Sequence, residues 1–142
     1  MNVDACMSTD VRIAAPTDTI REAARTMKEI DAGFLPVGEN DRLVGMITDR
    51  DIAVRGVAEG HGPDTPVREL MTNDIVTARI DDDVDEVAVR MSEAQVRRLP
   101  VIDDQQKLCG IVSLGDLARE ADDECAEEAL EGVSQPGGQH QQ

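Results

Sequence analysis

Residues 35–51 read LPVGENDRLVGMITDRD, and residues 99–116 read LPVIDDQQKLCGIVSLGD. Both stretches open on Leu-Pro-Val, cross a polar turn, and continue as an apolar run that ends in Gly-x-x-Thr/Ser-x-x-Asp. The second stretch is one residue longer, and the extra residue falls in the polar turn, where added length costs little free energy. The chain therefore contains two copies of one structural unit.

The repeat extends outward in both directions from these stretches. Residues 7–53 match residues 71–118, so that Met7 pairs with Met71. Each copy is predicted to form a strand, a helix, two strands and a second helix. A unit of about 50 residues is near the lower limit for folding alone, so the two copies are expected to share a core. We therefore expect an α/β (α+β) protein in which two β-α-β-β-α repeats pack sheet to sheet about a pseudo-twofold axis.

The repeat also predicts the domain boundaries. The first repeat is expected at residues 7–64 and the second at residues 71–130, with a Gly- and Pro-rich link between them. Residues 131–142 are rich in Gly and Gln and are expected to form a disordered polar tail.

Each copy opens with a short strand and a capped amphipathic helix. The short strands are predicted at Val11–Ala14 and Ile75–Ala78. The helices begin with Thr19-x-x-Glu22 and with Asp83-x-x-Glu86, which are capping patterns. The predicted buried faces are Ile20, Ala23, Ala24, Met27 and Ile30 in the first copy and Val84, Val87, Ala88, Met91 and Ala94 in the second.

The Leu-Pro-Val strand carries a residue that cannot complete a hydrogen-bond ladder. Pro36 and Pro100 have no N–H to donate, so we expect this strand to lie at a sheet edge or to end early. A helix is predicted to follow directly from Thr48 in the first copy and from Ser113 in the second.

The composition excludes several classes of protein. The 142 residues include 14 basic and 30 acidic side chains, a net charge of −16, and one aromatic residue. Nucleic-acid binding needs clustered basic residues and aromatic stacking platforms, so it is not expected. The apolar runs are too short to cross a bilayer, and the first residues do not form a signal-peptide pattern, so we expect a cytoplasmic protein.

The cysteines and histidines do not form a recognisable framework. Cys6, Cys109 and Cys125 are odd in number and form no CxxC pair, so neither a disulfide framework nor a zinc site is expected. His61 and His140 lie alone in polar surroundings. We expect Cys109 to be a small buried residue, because it lies in an apolar run.

A run of acidic residues follows the second repeat. Residues 120–131 contain seven Asp or Glu residues and no Lys or Arg, with a thin apolar stripe at Ala121, Cys125, Ala129 and Leu130. The run is interpreted as a solvated helix face, with docking to a partner as the alternative.

The Gly-x-x-Thr/Ser-x-x-Asp pattern can bind a ligand or can close a helix. Thr48 and Ser113 lie at helix starts, where free N–H groups and the helix dipole favour a phosphate. Asp51 and Asp116 lie one turn later, where a carboxylate can accept hydrogen bonds from the two hydroxyls of a ribose. The alternative is a capping box, in which the same side chains bond only to their own helix.

The two stretches quoted first, in register with the repeat, resemble the cystathionine β-synthase (CBS) domain. The tandem is similar to a Bateman module, and in particular to stand-alone bacterial CBS-pair proteins. The resemblance implies a regulatory module that binds AMP, ADP or ATP in the cleft between the repeats and forms a flat homodimer through its helices. The alternative is a ligand-free dimerisation or protein-interaction module.

The resemblance also assigns roles to basic residues. In energy-sensing CBS proteins a basic residue before Leu-Pro reaches the nucleotide phosphates, which implies this role for Arg98; the first copy has Gly33-Phe34 at the matching positions. The alternative for Arg98 is a solvated charge at a strand end. Arg50 is a second candidate, because an Arg at a helix start is unfavourable unless an anion or a carboxylate compensates it.

No catalytic constellation is present in the sequence. The residues form no Ser/His/Asp set, no Cys with a partner His and no phosphate-binding Walker loop. The run Asp81-Asp82-Asp83 is interpreted as a helix cap and not as a cation site. We therefore expect neither an enzyme nor a bound cofactor or metal.

Overall fold

The computed structural model describes residues 1–120, which form two compact units. The first-repeat unit comprises Arg12–Ile75, and the second-repeat unit comprises Met1–Val11 together with residues 76–120. Residues 1–11 thus belong with the second repeat, and residues 65–75 belong with the first, which differs from the predicted boundaries. The predicted tail at 131–142 and the end of the second repeat lie outside the described residues.

The first-repeat unit is built on one helix and one hairpin. Helix α1 spans Ile20–Ile30, strand β1 spans Phe34–Glu39 and strand β2 spans Arg42–Thr48. The two strands are antiparallel, and Asn40 and Asp41 between them have φ of 54° and 65°. Positive φ at both central residues is typical of a type I′ turn, which fits the twist of a hairpin.

The second-repeat unit contains a three-stranded sheet and two helices. Its elements are β3 (Ala78–Arg79), α2 (Val84–Ala94), β4 (Arg98–Ile102), β5 (Leu108–Ser113) and α3 (Leu114–Glu120). The strand order is β3-β4-β5, with β3 parallel and β5 antiparallel to β4. The mixed helix and strand content confirms the predicted α+β class.

The first strand of each copy is much shorter than predicted. It is reduced to β3 in the second copy and to one parallel bridge between Ala14 and Val37 in the first. The bridge uses the Pro36 carbonyl and the Gly38 N–H, and the next bond of the ladder would need an N–H on Pro36. The same argument applies at Pro100, so each proline stops the parallel ladder.

The predicted edge position is wrong for the second copy. Strand β4 lies in the middle of its sheet, between β3 and β5. Pro100 is tolerated there because β3 is only two residues long and begins at Ala78, where no N–H of Pro100 is required.

The two long helices confirm their predicted starts and part of their predicted buried faces. The Thr19 hydroxyl accepts from the Glu22 N–H at 3.1 Å, and the Asp83 carboxylate accepts from the Asp85 N–H at 2.8 Å. The buried side chains are Ile20, Ala23 and Met27 on α1, and Val84, Val87, Ala88 and Met91 on α2. Ala24 and Ile30 were expected in the core, but both are exposed.

The segments after Thr48 and Ser113 differ from each other. A regular helix, α3, follows Ser113, whereas the segment Asp51–Gly56 is π-helical and continues as a 3₁₀ turn at Val57–Glu59. A π-helical turn is wider than an α-helical one and is common at functional sites.

In each unit, the segment that leads into the other repeat crosses a strand at a glycine. Thr72 exchanges two hydrogen bonds with Met46 (2.8 and 2.9 Å), and Ser8 exchanges two with Ile111 (2.8 and 2.9 Å). A Cβ on Gly45 would lie 2.8 Å from the Thr72 carbonyl oxygen, and a Cβ on Gly110 would lie 2.5 Å from that of Ser8. Both glycines are therefore required for a close approach of backbone to backbone.

The acidic run 81–83 closes a helix and a turn. Asp83 caps α2, and the Asp82 carboxylate accepts from the Arg79 N–H and from Arg90 Nη1, each at 2.9 Å. Burial alone would raise the pKa of Asp82, but these two hydrogen bonds and the arginine charges lower it below its ordinary value. The bonds support the predicted structural role of the run.

Two of the three cysteines, Cys6 and Cys109, lie in the described residues, and neither forms a disulfide there. Cys109 is half-buried, less than predicted. Burial, together with the Asp103 charge, raises the pKa of its thiol, and Lys107 partly opposes the shift. Within residues 1–120 no three His, Cys, Asp or Glu side chains are grouped as metal ligands. In the same part of the chain, no helix has the length and apolarity to cross a membrane.

Candidate functional site

The candidate residues lie at two equivalent junctions between a strand and a helix. Thr48 ends β2 and Asp51 begins the π-helical segment, while Ser113 ends β5 and Asp116 lies in the first turn of α3. We call these the first junction and the second junction. Each junction lies within one unit.

Both junctions contain the same reciprocal pair of hydrogen bonds. The Thr48 N–H donates to Asp51 Oδ2, and the Asp51 N–H donates to Thr48 Oγ1, each at 3.0 Å. The Ser113 N–H donates to Asp116 Oδ2 at 3.0 Å, and the Asp116 N–H donates to Ser113 Oγ at 3.1 Å. The capping interaction predicted as the alternative is therefore present at both junctions. It uses one oxygen of each carboxylate.

The second oxygen of Asp51 is buried without a hydrogen bond. Asp51 is 1% exposed, and its Oδ1 has no hydrogen-bond partner among the described residues. The nearest cation is Arg55, whose Nη1 lies 3.8 Å from Oδ1, beyond hydrogen-bond distance. A buried acceptor without a donor costs about 1–3 kcal/mol. A helix cap needs only Oδ2, so capping does not explain the burial of Oδ1.

Arg55 is a residue that the sequence analysis missed. Its side chain is 48% exposed, and it contacts Asp51 from four residues further along the chain. The spacing of four residues between an acid and a base was a visible signal, but it is typical of many surface ion pairs and did not single out this one.

The second junction is more open to solvent than the first. Ser113 and Asp116 are half-buried, whereas Thr48 is 4% exposed. The helices that follow the two junctions also differ, because α3 after Ser113 is regular while the segment after Thr48 is π-helical.

Strand register places a cation at the second junction and none at the first. Arg98 is the cross-strand partner of Ser113, and Phe34 is the cross-strand partner of Thr48. Residues directly opposite each other in an antiparallel pair project from the same face. Arg98, which is exposed, therefore leaves its sheet on the same face as the Ser113 hydroxyl. Arg97 precedes the strand, and its carbonyl accepts from the Leu114 N–H at 2.8 Å.

An acidic side chain lies against Gly33, the residue of the first repeat that matches Arg97. The Asp49 N–H donates to the Gly33 carbonyl at 2.8 Å, and a Cβ on Gly33 would lie 2.9 Å from Asp49 Oδ2. Asp49 also accepts from the Arg50 N–H at 2.8 Å, so it supplies the negative charge that a helix start favours. The Arg50 side chain is exposed, and no ion pair of Arg50 is recorded within residues 1–120. The structure thus brings Thr48 and Asp51 together, and does not bring Arg50 into contact with either.

Comparison with known proteins identifies both repeats. The family model of the CBS domain matches residues 3–56 and 67–123. The CBS domain-containing protein YhcV of Bacillus subtilis is 43% identical over 129 residues, which cover 90% of this chain and 91% of that protein. Hypoxic response protein 1 of Mycobacterium tuberculosis is 36% identical over 132 residues, which cover 92% of each chain.

Solved structures support the same family and include ligand complexes. The CBS domain pair of protein MJ0100, in complex with 5-methylthioadenosine and S-adenosyl-L-methionine, is 33% identical and covers 84% of this chain and 94% of its own, with a TM-score of 0.71. CBSX2 in complex with AMP is 25% identical, and the match covers 83% of this chain and 93% of CBSX2, with a TM-score of 0.73. Hypoxic response protein I, solved with two coordinated zinc ions, is 38% identical with a TM-score of 0.77. The match covers 86% of this chain and 100% of that protein's chain.

These matches confirm the resemblance drawn from the Leu-Pro-Val and Gly-x-x-Thr/Ser-x-x-Asp stretches. Both matched regions contain one of the two junctions, so each junction belongs to a complete copy of the domain. The chain belongs to the CBS-domain family and carries two CBS domains in tandem.

Proposed function

We propose that this CBS pair is a regulatory module that binds an adenosine-containing nucleotide, namely AMP, ADP or ATP, and alters its shape or its affinity for a partner in response. The MJ0100 pair, which binds 5-methylthioadenosine and S-adenosyl-L-methionine, and CBSX2, which binds AMP, share the fold of this chain and support an adenosine ligand. We assign the chain no catalytic step and no cofactor.

The observation that carries the proposal is the buried, unbonded oxygen of Asp51. A vicinal diol could donate a hydrogen bond to Oδ1, replacing an ion pair with Arg55 at 3.8 Å by a direct hydrogen bond. The ribose of a nucleotide is such a diol. Arg55, whose side chain is 48% exposed, is the side chain that would swing aside.

Asp116 at the second junction is proposed to hold a ribose as well. Its Oδ2 is used by the Ser113 N–H, which fixes the direction of the carboxylate. The Ser113 hydroxyl and the start of α3 favour a phosphate, and Arg98 on the same face supplies a cation for it.

The charges at the two junctions favour different ligands. The second junction has Arg98 opposite Ser113, and we propose that it takes the phosphorylated nucleotide. The first junction has Asp49 against Gly33 and Phe34 opposite Thr48, so a phosphate there would depend on Arg50 and on Arg55, which already pairs with Asp51. We therefore assign the higher affinity for ATP and ADP to the second junction.

A thermal-shift panel tests the proposal. Wild-type protein is heated with AMP, ADP, ATP, adenosine, NAD or S-adenosylmethionine, and with inorganic phosphate as the control for a purely ionic effect. A ligand that binds only the folded state stabilises it by about 2.7 kcal/mol at 100 times its Kd. Stabilisation by a nucleotide but not by phosphate supports the proposal, and no shift from any adenosine compound contradicts it.

A ligand-free interaction module is the second candidate. It is favoured by the exposed apolar side chains Ile13 (53%) and Val54 (47%), and by the capping bonds that close both junctions without a ligand. We propose a cytoplasmic homodimer in either case. Because the chain has a net charge of −16, salt should screen the electrostatic repulsion between copies and strengthen the dimer. A monomer by light scattering at micromolar protein and 0.15 M salt would contradict the dimer.

A further inference from the structure

The ion pair between Asp51 and Arg55 is unequal in its burial. Asp51 is 1% exposed, whereas the Arg55 side chain is 48% exposed, so the negative partner lies in the interior and the positive partner lies at the surface. Arg55 Nη1 stands 3.8 Å from Asp51 Oδ1, which is too long for a hydrogen bond. The guanidinium can therefore leave the pair for solvent or for another anion, while the carboxylate stays in place.

The backbone between the two residues accounts for the long distance. Residues four apart are neighbours on a regular α-helix. The segment Asp51–Gly56 is π-helical, however, and the Val57 N–H that follows it donates to both the Ala53 and the Ile52 carbonyls. Hydrogen bonds of the longer π type widen the turn, so a spacing of four residues no longer stacks one side chain directly over the other. The fold thus holds a cation near the carboxylate without filling its second oxygen.

The surroundings of the first junction offer an incoming anion few positive partners. Strand register places Phe34, and not a cation, opposite Thr48, and Asp49 adds a negative charge at the start of the next segment. A phosphate at this junction therefore depends on Arg50 and Arg55. Of these two, Arg55 is the one that already pairs with a carboxylate.

We propose that Arg55 determines the ligand specificity of the first junction by competing with the ligand for Asp51, so that the junction selects a nucleoside monophosphate over an uncharged nucleoside. The proposal rests on the proposed function, because it takes the ribose diol as the group that bonds Oδ1. The diol displaces the guanidinium and breaks the ion pair. A phosphate on the same ligand gives the guanidinium a new charge-assisted partner, whereas an uncharged nucleoside gives it none.

The same competition distinguishes this junction from a simple anion site. In the protein without ligand, the Arg55 charge is directed at Asp51, so inorganic phosphate alone must compete with a buried carboxylate for it. Once a ribose has taken Oδ1, the guanidinium is released. Phosphate recognition at this junction therefore follows ribose recognition, and a ligand needs both groups to bind tightly.

Isothermal titration of AMP and adenosine tests the proposal in the full-length chain. The starting protein carries Asp116→Ala and Arg98→Ala, which remove the groups proposed to bind a ribose and a phosphate at the second junction. Adding Asp51→Asn to this protein should lower the remaining AMP affinity about tenfold, which assigns the measured binding to the first junction. Adenosine is also titrated as a competitor of AMP, so that weak binding is still quantified.

Arg55→Gln in the same starting protein removes the charge of the competing side chain. We expect adenosine to bind about threefold more tightly and AMP about threefold more weakly, so the ratio of AMP affinity to adenosine affinity should fall about tenfold. Arg55→Lys keeps a cation and should leave the ratio closer to that of the starting protein than to that of the Gln variant. Circular dichroism checks that the variants stay folded.

Arg42→Gln is the matched control for the loss of one positive charge. Arg42 is exposed and lies at the opposite end of β2 from Thr48. Its replacement should leave both affinities, and therefore their ratio, unchanged. A fall of the ratio in this variant equal to that in Arg55→Gln would mean that only the net charge of the chain matters, which would overturn the proposal.

Two further results would also overturn it. If AMP binds and Asp51→Asn weakens it, but Arg55→Gln leaves the ratio unchanged, then the proposed function stands at the first junction and the role of Arg55 is wrong. If the starting protein binds neither AMP nor adenosine, then the proposed function fails at this junction and the role of Arg55 fails with it.

Discussion

Thr48 and Asp51 bond each other twice at 3.0 Å, and this pairing fixes Asp51 Oδ2 while leaving Oδ1 buried without a hydrogen-bond partner among the described residues. Asp116 and Ser113 make the same pair of bonds in a half-buried setting. At Asp51, one carboxylate therefore closes its helix and still has a second oxygen to offer to a ligand. The capping role and the binding role of these residues are compatible, and experiments must separate them by their different consequences.

Asp51→Asn should lower nucleotide affinity at the first junction with little loss of stability. An Asn oxygen still accepts from the Thr48 N–H, and Asn is as good a cap as Asp. The charge that strengthens a bond to a ribose is lost, so affinity there should fall about tenfold, which corresponds to about 1.4 kcal/mol. Isothermal titration gives the affinity and urea unfolding gives the stability.

Thr19→Ala is the matched control for a residue that only caps. Thr19 bonds the Glu22 N–H and lies outside both junctions, so its loss should cost about 1 kcal/mol of stability and leave nucleotide affinity unchanged. If Asp51→Asn behaves as Thr19→Ala does, then Asp51 is only a cap.

Arg98→Ala should weaken ATP and ADP much more than adenosine. Only the phosphates interact with the guanidinium, so the loss should grow with the number of phosphates. Arg97→Ala is the matched control, because Arg97 is also exposed but precedes β4 and is not opposite Ser113. Equal losses for adenosine and ATP, or an equal effect of the Arg97 variant, would argue that Arg98 is a solvated strand-end charge.

Gly110→Ala should destabilise the second-repeat unit. The new Cβ would lie 2.5 Å from the Ser8 carbonyl oxygen, which is backbone and cannot rotate away, so residues 1–11 must shift. We expect a loss of about 2 kcal/mol in the free energy of unfolding. Gly62→Ala is the control, since no atom lies within 4 Å of a Cβ at that position. Equal stability of the two variants in urea would show that Ser8 does not cross β5 at Gly110.

Asp82 should make the stability depend on pH in the acid range. Its pKa in the folded chain is lowered below the ordinary value of 3.8, so ionised Asp82 stabilises the fold above that value. The contribution is lost as the pH falls through the lowered folded pKa. Wild type should therefore be more stable than Asp82→Asn at pH 7, and this difference in the free energy of unfolding should shrink as the pH falls below 3.8.

Urea unfolding at several pH values measures this difference. Asp81→Asn is the control, because Asp81 is exposed. The free energy of unfolding of this variant should differ little from that of wild type at every pH. A stability difference for Asp82→Asn that does not shrink as the pH falls below 3.8 would contradict the assignment of its hydrogen bonds with Arg79 and Arg90.

The repeat made most of the fold predictable. Internal similarity predicts the two hairpins, the long helices and the caps at Thr19 and Asp83, because these depend on local patterns that occur twice in the chain. The similarity of the copies does not, however, predict which repeat the segments before each copy pack with. Since Met7 matches Met71, the pattern cannot tell which copy each leading segment joins, and the structure groups residues 1–11 with the second repeat.

The local sequence pattern does not predict the length of the first strands or the difference between the two junctions. The predicted strand Val11–Ala14 is reduced to a bridge at Ala14, because Pro36 lacks the N–H that the next ladder bond requires. The sequence predicts the same role for Asp51 and Asp116, but their burial differs, because it depends on how the following helix winds and not on the shared Gly-x-x-Thr/Ser-x-x-Asp pattern. Arg55 was missed for the same reason.

The most direct test of nucleotide binding is to measure affinity and stability on one variant, Asp116→Ala. If Asp116 holds a ribose diol at the open second junction, isothermal titration should show at least a tenfold loss of affinity for the nucleotide that binds wild type, with a folded protein. If Asp116 only caps α3, unfolding should show a loss of about 1 kcal/mol in stability while the nucleotide affinity stays unchanged. The first result is the one we predict, and the second would contradict the proposed function at this junction.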